Sequence, residues 1–253
     1  MQENVSVTDG TLHWPFPIDN VEELRAHEVS YASLAASVRE LVDACVRTRV
    51  SPDDAALVEG RVRALTQELL ATSQAGPIGL EPCSDGRLRG HANPVIGARN
   101  PCAPPLTIVR DAQSPPGAPE GAVTASSSFE LGAPYEGPPG HVHGGMVAMI
   151  LDQVLGTLPA MTGSPGMTAY LNLTYRRPTP LGQLSAHGWV ESKDGWKTFV
   201  KGEMRDAEGN VTVAADALFI VPKIARGLFS LPMSDAADFE PPTEAPPQEQ
   251  SPR

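Results

Sequence analysis

The sequence predicts an α+β fold, an antiparallel β-sheet wrapped around a central α-helix, with a helical hairpin as an N-terminal extension. Three observations predict it. The apolar run Gly144-Gly145-Met146-Val147-Ala148-Met149-Ile150-Leu151-Asp152 opens on glycines and reads as a helix start. Alternating, β-branched and aromatic segments stand on either side of it, at 122–131 before it and at 167–176, 184–191, 198–205 and 211–221 after it. Residues 20–71 carry helical periodicity interrupted by one capped break.

Taken in order, the stretch from about Asn20 to Thr48 predicts a helix with Leu34, Val38, Leu41, Val42 and Cys45 as its apolar stripe. Ser51-Pro52-Asp53-Asp54 then has the form of a capped start, with proline at the first helical position and acids in the first turn. The second helix runs to about Ala71 and is closed by Gly76-Pro77. The pair is expected to form a hairpin that packs on the domain behind it or covers part of its groove, so residues 1–76 form an N-terminal helical extension. Prolines and glycines recur through 77–121, a connector expected to wrap the domain, with a short strand at Leu106-Thr107-Ile108-Val109. The domain proper spans 122–224, and Asp206-Ala207-Glu208-Gly209-Asn210 joins its last two strands as a hairpin loop. Residues 225–253 lose pattern and turn acidic and proline-rich, the composition of a disordered tail.

Composition narrows the function. With 19 Lys+Arg against 30 Asp+Glu, a formal net charge of −11, the chain is a poor binder of nucleic acid or anionic membrane. Cys45, Cys83 and Cys102 have no metal-ligand spacing and leave one unpaired, which makes a reducing compartment the expectation; the six histidines are scattered. The N-terminus lacks a basic segment followed by an apolar one, and no window is expected to reach transmembrane length, so the expected location is cytoplasmic.

The chemistry lies in one spacing. Gly145 and Asp152 are seven residues apart, two helical turns, hence on one face and roughly 10 Å apart along the axis. A helix N-terminus presents unpaired N–H donors that can polarise a carbonyl oxygen, and Gly144 and Gly145 leave room for it. A water activated by Asp152 must attack a carbon about 3 Å from that oxygen's donors, which a roughly 10 Å separation within one helix forbids. An antiparallel pairing of the helix with its twin would bring Gly145 of one subunit beside Asp152 of the other.

The order His143-Gly144-Gly145, Asp152 nine residues after the His, Met167-Thr168-Ala169 before Leu171-Asn172-Leu173, Arg177-Pro178-Thr179-Pro180-Leu181, and Leu218-Phe219-Ile220 resembles the hotdog-fold acyl-CoA thioesterases of the phenylacetate-degradation and mammalian thioesterase-superfamily type, over about residues 123–222. The resemblance implies a hotdog fold, an acyl-CoA thioester as substrate, coenzyme A as part of that substrate with no other cofactor and no metal, and a homodimer or dimer of dimers. By residue, it implies Asp152 as general base or nucleophile, Gly145 as the oxyanion donor, Thr168 as the hydroxyl that orients the water or the acid, and His143 as a shaper of the turn that approaches the thioester. Water attack and a transient anhydride both fit one activated carboxylate. There is no G-x-S-x-G elbow to offer a serine nucleophile.

For substrate binding, 176–205 holds six bases (Arg176, Arg177, Lys193, Lys197, Lys201, Arg205) against the acids Glu191, Asp194 and Glu203, a patch suited to coenzyme A phosphates. Arg177 and Lys197 lead, with Arg176, Gly144, Thr174 and Trp196 lining the same groove, and Met146, Met149, Ile150 and the connector bordering the acyl chain, for which medium to long length is expected. The alternative is a non-catalytic acyl-CoA or acyl-carrier-protein binding module on the same fold, with a hotdog dehydratase as a third reading.

Overall fold

A computed structural model of the chain describes residues 6–8, 11–14, 16–104, 106–111 and 115–228. The 229–253 part of the expected tail lies outside them. The stretch 225–228 belongs to a 3-10 turn, Lys223–Leu228, rather than to a patternless tail; Arg226 in it donates to the Val221 carbonyl at 3.1 Å.

A short hairpin, β1 (Ser6–Thr8) with β2 (Thr11–His13), precedes α1 (Val21–Arg47). Glu22 and Glu23 in the first turn and Arg47 in the last complement the helix dipole. Two side-chain contacts tie α1 to the connector. Glu28 accepts both the N–H and the hydroxyl of Ser84, each at 2.7 Å, and the Arg99 guanidinium lies 4.3 Å over the Tyr31 ring. Its predicted apolar stripe is not a core stripe: Ala35 is buried, whereas Leu34, Val42 and Cys45 are exposed. Then comes α2 (Pro52–Leu70), started by Ser51, whose hydroxyl accepts the Asp54 N–H at 3.2 Å. No residue of α2 is buried. Of the expected hairpin, α1 contacts the turn Ala133–Tyr135 after the first long strand, whereas no described residue buries α2's apolar side chains.

The connector is more structured than its composition predicts. It folds a second hairpin, β3 (Glu81–Pro82) with β4 (Leu88–Arg89), and ends in β5 (Val109–Arg110), which replaces the strand expected at 106–109. Cys83 is buried, its sulfur 3.4 Å from His91 Nε2, and loss of solvent holds the thiol above its ordinary pKa. The connector packs on the domain, and its Val95 and Leu106 enter the main core.

That core lies between one helix and one sheet. After β6 (Thr124–Leu131) the chain forms α3 (Gly144–Met161), then β7 (Met167–Tyr175), β8 (Gly182–Asp194), β9 (Lys197–Arg205) and β10 (Val211–Ile220). The six strands stand in the order β5-β6-β8-β9-β10-β7, antiparallel at every pairing. α3 buries Val147, Ile150, Leu151, Val154, Leu155 and Leu158 against strand residues that include Phe129, Leu184, Val200 and Met204. At 18 residues and a mean hydropathy of 1.3, α3 meets by length and composition the spanning criterion that no window was expected to reach; here its apolar face is the core of the sheet.

The helix crosses the sheet closest over Gly188 and Gly202, which are register partners on β8 and β9. A Cβ on Gly202 would stand 2.7 Å from Leu155 Cδ2 and 2.5 Å from the His187 carbonyl oxygen. β7 is the outer strand beyond β10, and none of its nine residues is buried. Leu171 and Leu173 are half-buried against the core; Met167, Tyr170 and Tyr175 are exposed.

Gly202→Ala is expected to destabilise the fold by about 1–3 kcal/mol, since a backbone carbonyl cannot give way. Gly60→Ala on α2, where an added Cβ meets no atom within 4 Å, is expected to be neutral or to stabilise by up to about 1 kcal/mol. Denaturant midpoints of the two variants beside the wild type check both signs.

Candidate active site

The loop that starts α3 is shaped before the helix begins. Gly140 has φ +75° and its N–H reaches Glu136 Oε1 at 2.6 Å, turning the chain after Pro138-Pro139. Val142 donates to the Thr179 carbonyl and His143 to the Tyr135 carbonyl, each at 2.9 Å. The loop thus hangs between the turn after β6 and the segment between β7 and β8. His143 then caps the helix: its Nδ1 accepts the Gly145 N–H at 3.0 Å, which places its ring proton on Nε2. His143 is in this respect a turn residue, and the cap occupies the donor assigned to the oxyanion.

Gly144 is differently placed. Its N–H has no hydrogen-bond partner among the described residues, and its carbonyl accepts the Tyr175 hydroxyl at 2.8 Å. It lines a cleft of about 440 Å³ together with Val142, Val147, Tyr175, Arg176 and Arg177. Both arginine side chains are exposed and make no ion pair among the described residues, while their backbone N–H groups donate to the Thr212 carbonyl at 2.8 and 3.2 Å. Thr174, the residue before Tyr175, is exposed on the same end of β7.

Asp152 is half-buried two turns along α3, where Thr168 donates its hydroxyl to Oδ1 at 2.9 Å. One carboxylate oxygen is oriented, and Oδ2 has no protein donor among the described residues. Thr168 and Tyr175 are seven residues apart on β7, about 23 Å at 3.3 Å per residue. The acid with its hydroxyl stands at one end of the strand, and the glycine helix start with two arginines at the other.

This geometry divides the predicted binding patch. Lys197 pairs across the sheet with Ile220, and Ile220 with Met167, so Trp196 and Lys197 belong to the Thr168 end and not to the Arg177 end. Within one chain Arg177 and Lys197 lie at opposite ends of the sheet, so no single chain holds both in one groove. Two other bases of the patch are neutralised, Lys201 by Glu191 at 3.0 Å and Arg205 by Glu203. Lys193 binds the Ser164 hydroxyl at 2.9 Å near the end of α3, and burial holds its ammonium below the ordinary lysine range. Ile150 is fully buried in the core and lines no groove, whereas Met146 and Met149 are half-buried. Two residues that sequence reasoning missed stand at these ends. Tyr175 fastens the helix start, and Arg226 lies 5.6 Å over the Trp196 ring. Only the position of Tyr175 at the end of its strand, next to Arg176-Arg177-Pro178, could have pointed to it.

Residues 139–213 match the model of the thioesterase superfamily. The chain is 38% identical over 96 residues to acyl-coenzyme A thioesterase THEM4 of Mus musculus, covering 37% of this chain and 41% of that protein. It is 35% identical over 94 residues to the protein of the same name from Xenopus laevis, covering 36% and 42%. The chain thus spans about two fifths of the length of these curated relatives. A crystal structure of a thioesterase superfamily protein is 34% identical, covers 75% of this chain and 90% of that one, and superposes with a TM-score of 0.64.

Removing the cap in His143→Ala is expected to cost about 1 kcal/mol of stability. A lower denaturant midpoint at unchanged slope in that variant, with partial recovery in His143→Asn, checks it.

Proposed function

The chain belongs to the thioesterase superfamily, and on that footing we propose that it hydrolyses acyl-CoA thioesters to free acid and coenzyme A, as a homodimer in which both subunits build each site. The observation that carries this reading is the free edge of β7 between two half-sites. A nine-residue edge strand with exposed apolar side chains is a ready template for a second copy. An antiparallel pairing centred between Leu171 and Asn172 sets Thr168 opposite the partner subunit's Tyr175. Asp152 of one chain then meets the Gly144-Gly145 helix start of the other.

In that site the thioester carbonyl oxygen accepts the Gly144 N–H, with the Gly145 N–H released to it once His143 turns away. Asp152, held by Thr168, takes a proton from water as the water oxygen bonds to the carbonyl carbon. The tetrahedral intermediate collapses with cleavage of the C–S bond, and the departing thiolate takes the proton back from Asp152. Arg176 and Arg177 line the cleft and would meet the coenzyme A phosphates. The half-buried Met146 and Met149 suit an adaptable apolar path for medium to long acyl chains.

Thiol release from a panel of acetyl through palmitoyl and aryl-acetyl CoA esters tests this. Asp152→Asn is expected to lower kcat by about 10² or more with folding and mass unchanged, and Thr168→Val by about tenfold. Acyl-CoA binding with no thiol release from any ester would replace hydrolysis with the binding-module reading.

A further inference from the structure

We propose that α2 is a self-association arm that docks antiparallel against α2 of a second copy of this chain, through the seam Val58, Val62, Leu65 and Leu69. The spacing of these residues alternates four, three and four, the interval at which apolar side chains line one seam of a helix pair. Val58, Leu65 and Leu69 are 41%, 57% and 54% exposed, and Val62 is half-buried. A helix of 19 residues with no buried side chain has little within its own chain to stabilise it, and a seam of three exposed apolar residues and one half-buried marks a contact surface.

Charge selects the occupant. α2 carries Asp53, Asp54, Glu59 and Glu68 against Arg61 and Arg63, so an anionic lipid surface is disfavoured. Arg63 is spent within the helix on Glu59 at 2.6 Å, whereas Arg61 and Glu68 flank the seam and make no ion pair among the described residues. In the antiparallel register that overlaps the whole seam, Val58 meets the partner subunit's Leu69 and Val62 meets the partner subunit's Leu65. Arg61 then falls beside the partner subunit's Glu68, twice by symmetry. The parallel register would instead set Asp54 against the partner subunit's Glu59. The helix is complementary to its own reverse and repels its own parallel copy.

The test is a charge exchange, read by sedimentation of the full chain over a concentration series. Arg61→Glu and Glu68→Arg are each expected to weaken association about tenfold or more, and the double variant to return it to about the wild-type value. Position 61 is two helical turns from 68, so recovery in the double variant cannot arise within one helix. In a Cys45→Ser and Cys102→Ser background, chains carrying Val62→Cys mixed with chains carrying Leu65→Cys are expected to crosslink on mild oxidation, and Gln67→Cys chains alone are not. Unchanged association in both single variants with no selective crosslink, or a double variant as weak as either single, overturns the proposal. None of these readouts depends on thioester hydrolysis, and α2 holds no residue of the candidate site, so failure here and failure of the thioesterase reading are separable.

Discussion

The outer edge of β7, which pairs with no strand among the described residues, governs the rest of the structure. The nine residues of this strand separate Asp152 and Thr168 from Gly144 and Tyr175 by the length of the strand itself. Each end is locally complete. The acid has its hydroxyl, and the helix start has its cap and its tyrosine clamp. Neither end alone can polarise a carbonyl and deliver water to it, which is the ground for the proposed pairing of two chains.

What holds those two ends at a fixed distance is the helix-to-sheet contact. α3 lies close enough to the sheet that Gly188 and Gly202 admit no side chain beneath Leu155. The buried row from Val147 to Leu158 fixes the rotation of the helix, and that rotation turns Asp152 toward β7 and the Gly144 carbonyl toward Tyr175. Packing in the core therefore sets the direction of the polar groups outside it.

Local patterns were legible in the sequence wherever one element decides them. The Ser51-Pro52 start, the glycine-opened α3 and the alternation of β7 lie where read, and the hydrogen bond between Thr168 and Asp152 joins two residues paired by the family resemblance. What depends on the order of strands was not legible. Arg177 and Lys197 are twenty residues apart and looked like one patch; the placement of β7 beyond β10 puts them at opposite ends of the sheet within one chain. Periodicity likewise marks an apolar stripe without naming its partner, which is why Leu34 and Val42 on α1 were assigned to packing and are exposed. The bond from Tyr175 to the Gly144 carbonyl has no signature at all, since it links two elements 31 residues apart through one hydroxyl.

Subunit complementation distinguishes a site shared between chains from one within a chain. Asp152→Asn and Gly145→Val are each expected to abolish thiol release, and the two inactive proteins are to be mixed under conditions of subunit exchange. If each site takes its acid from one chain and its helix start from the other, half of the dimers are mixed and each has one intact site, so activity should return to about a quarter of the wild-type value. Mixed dimers that form and remain inactive would contradict a site built across the two chains, since a site within one chain would always carry one of the two substitutions.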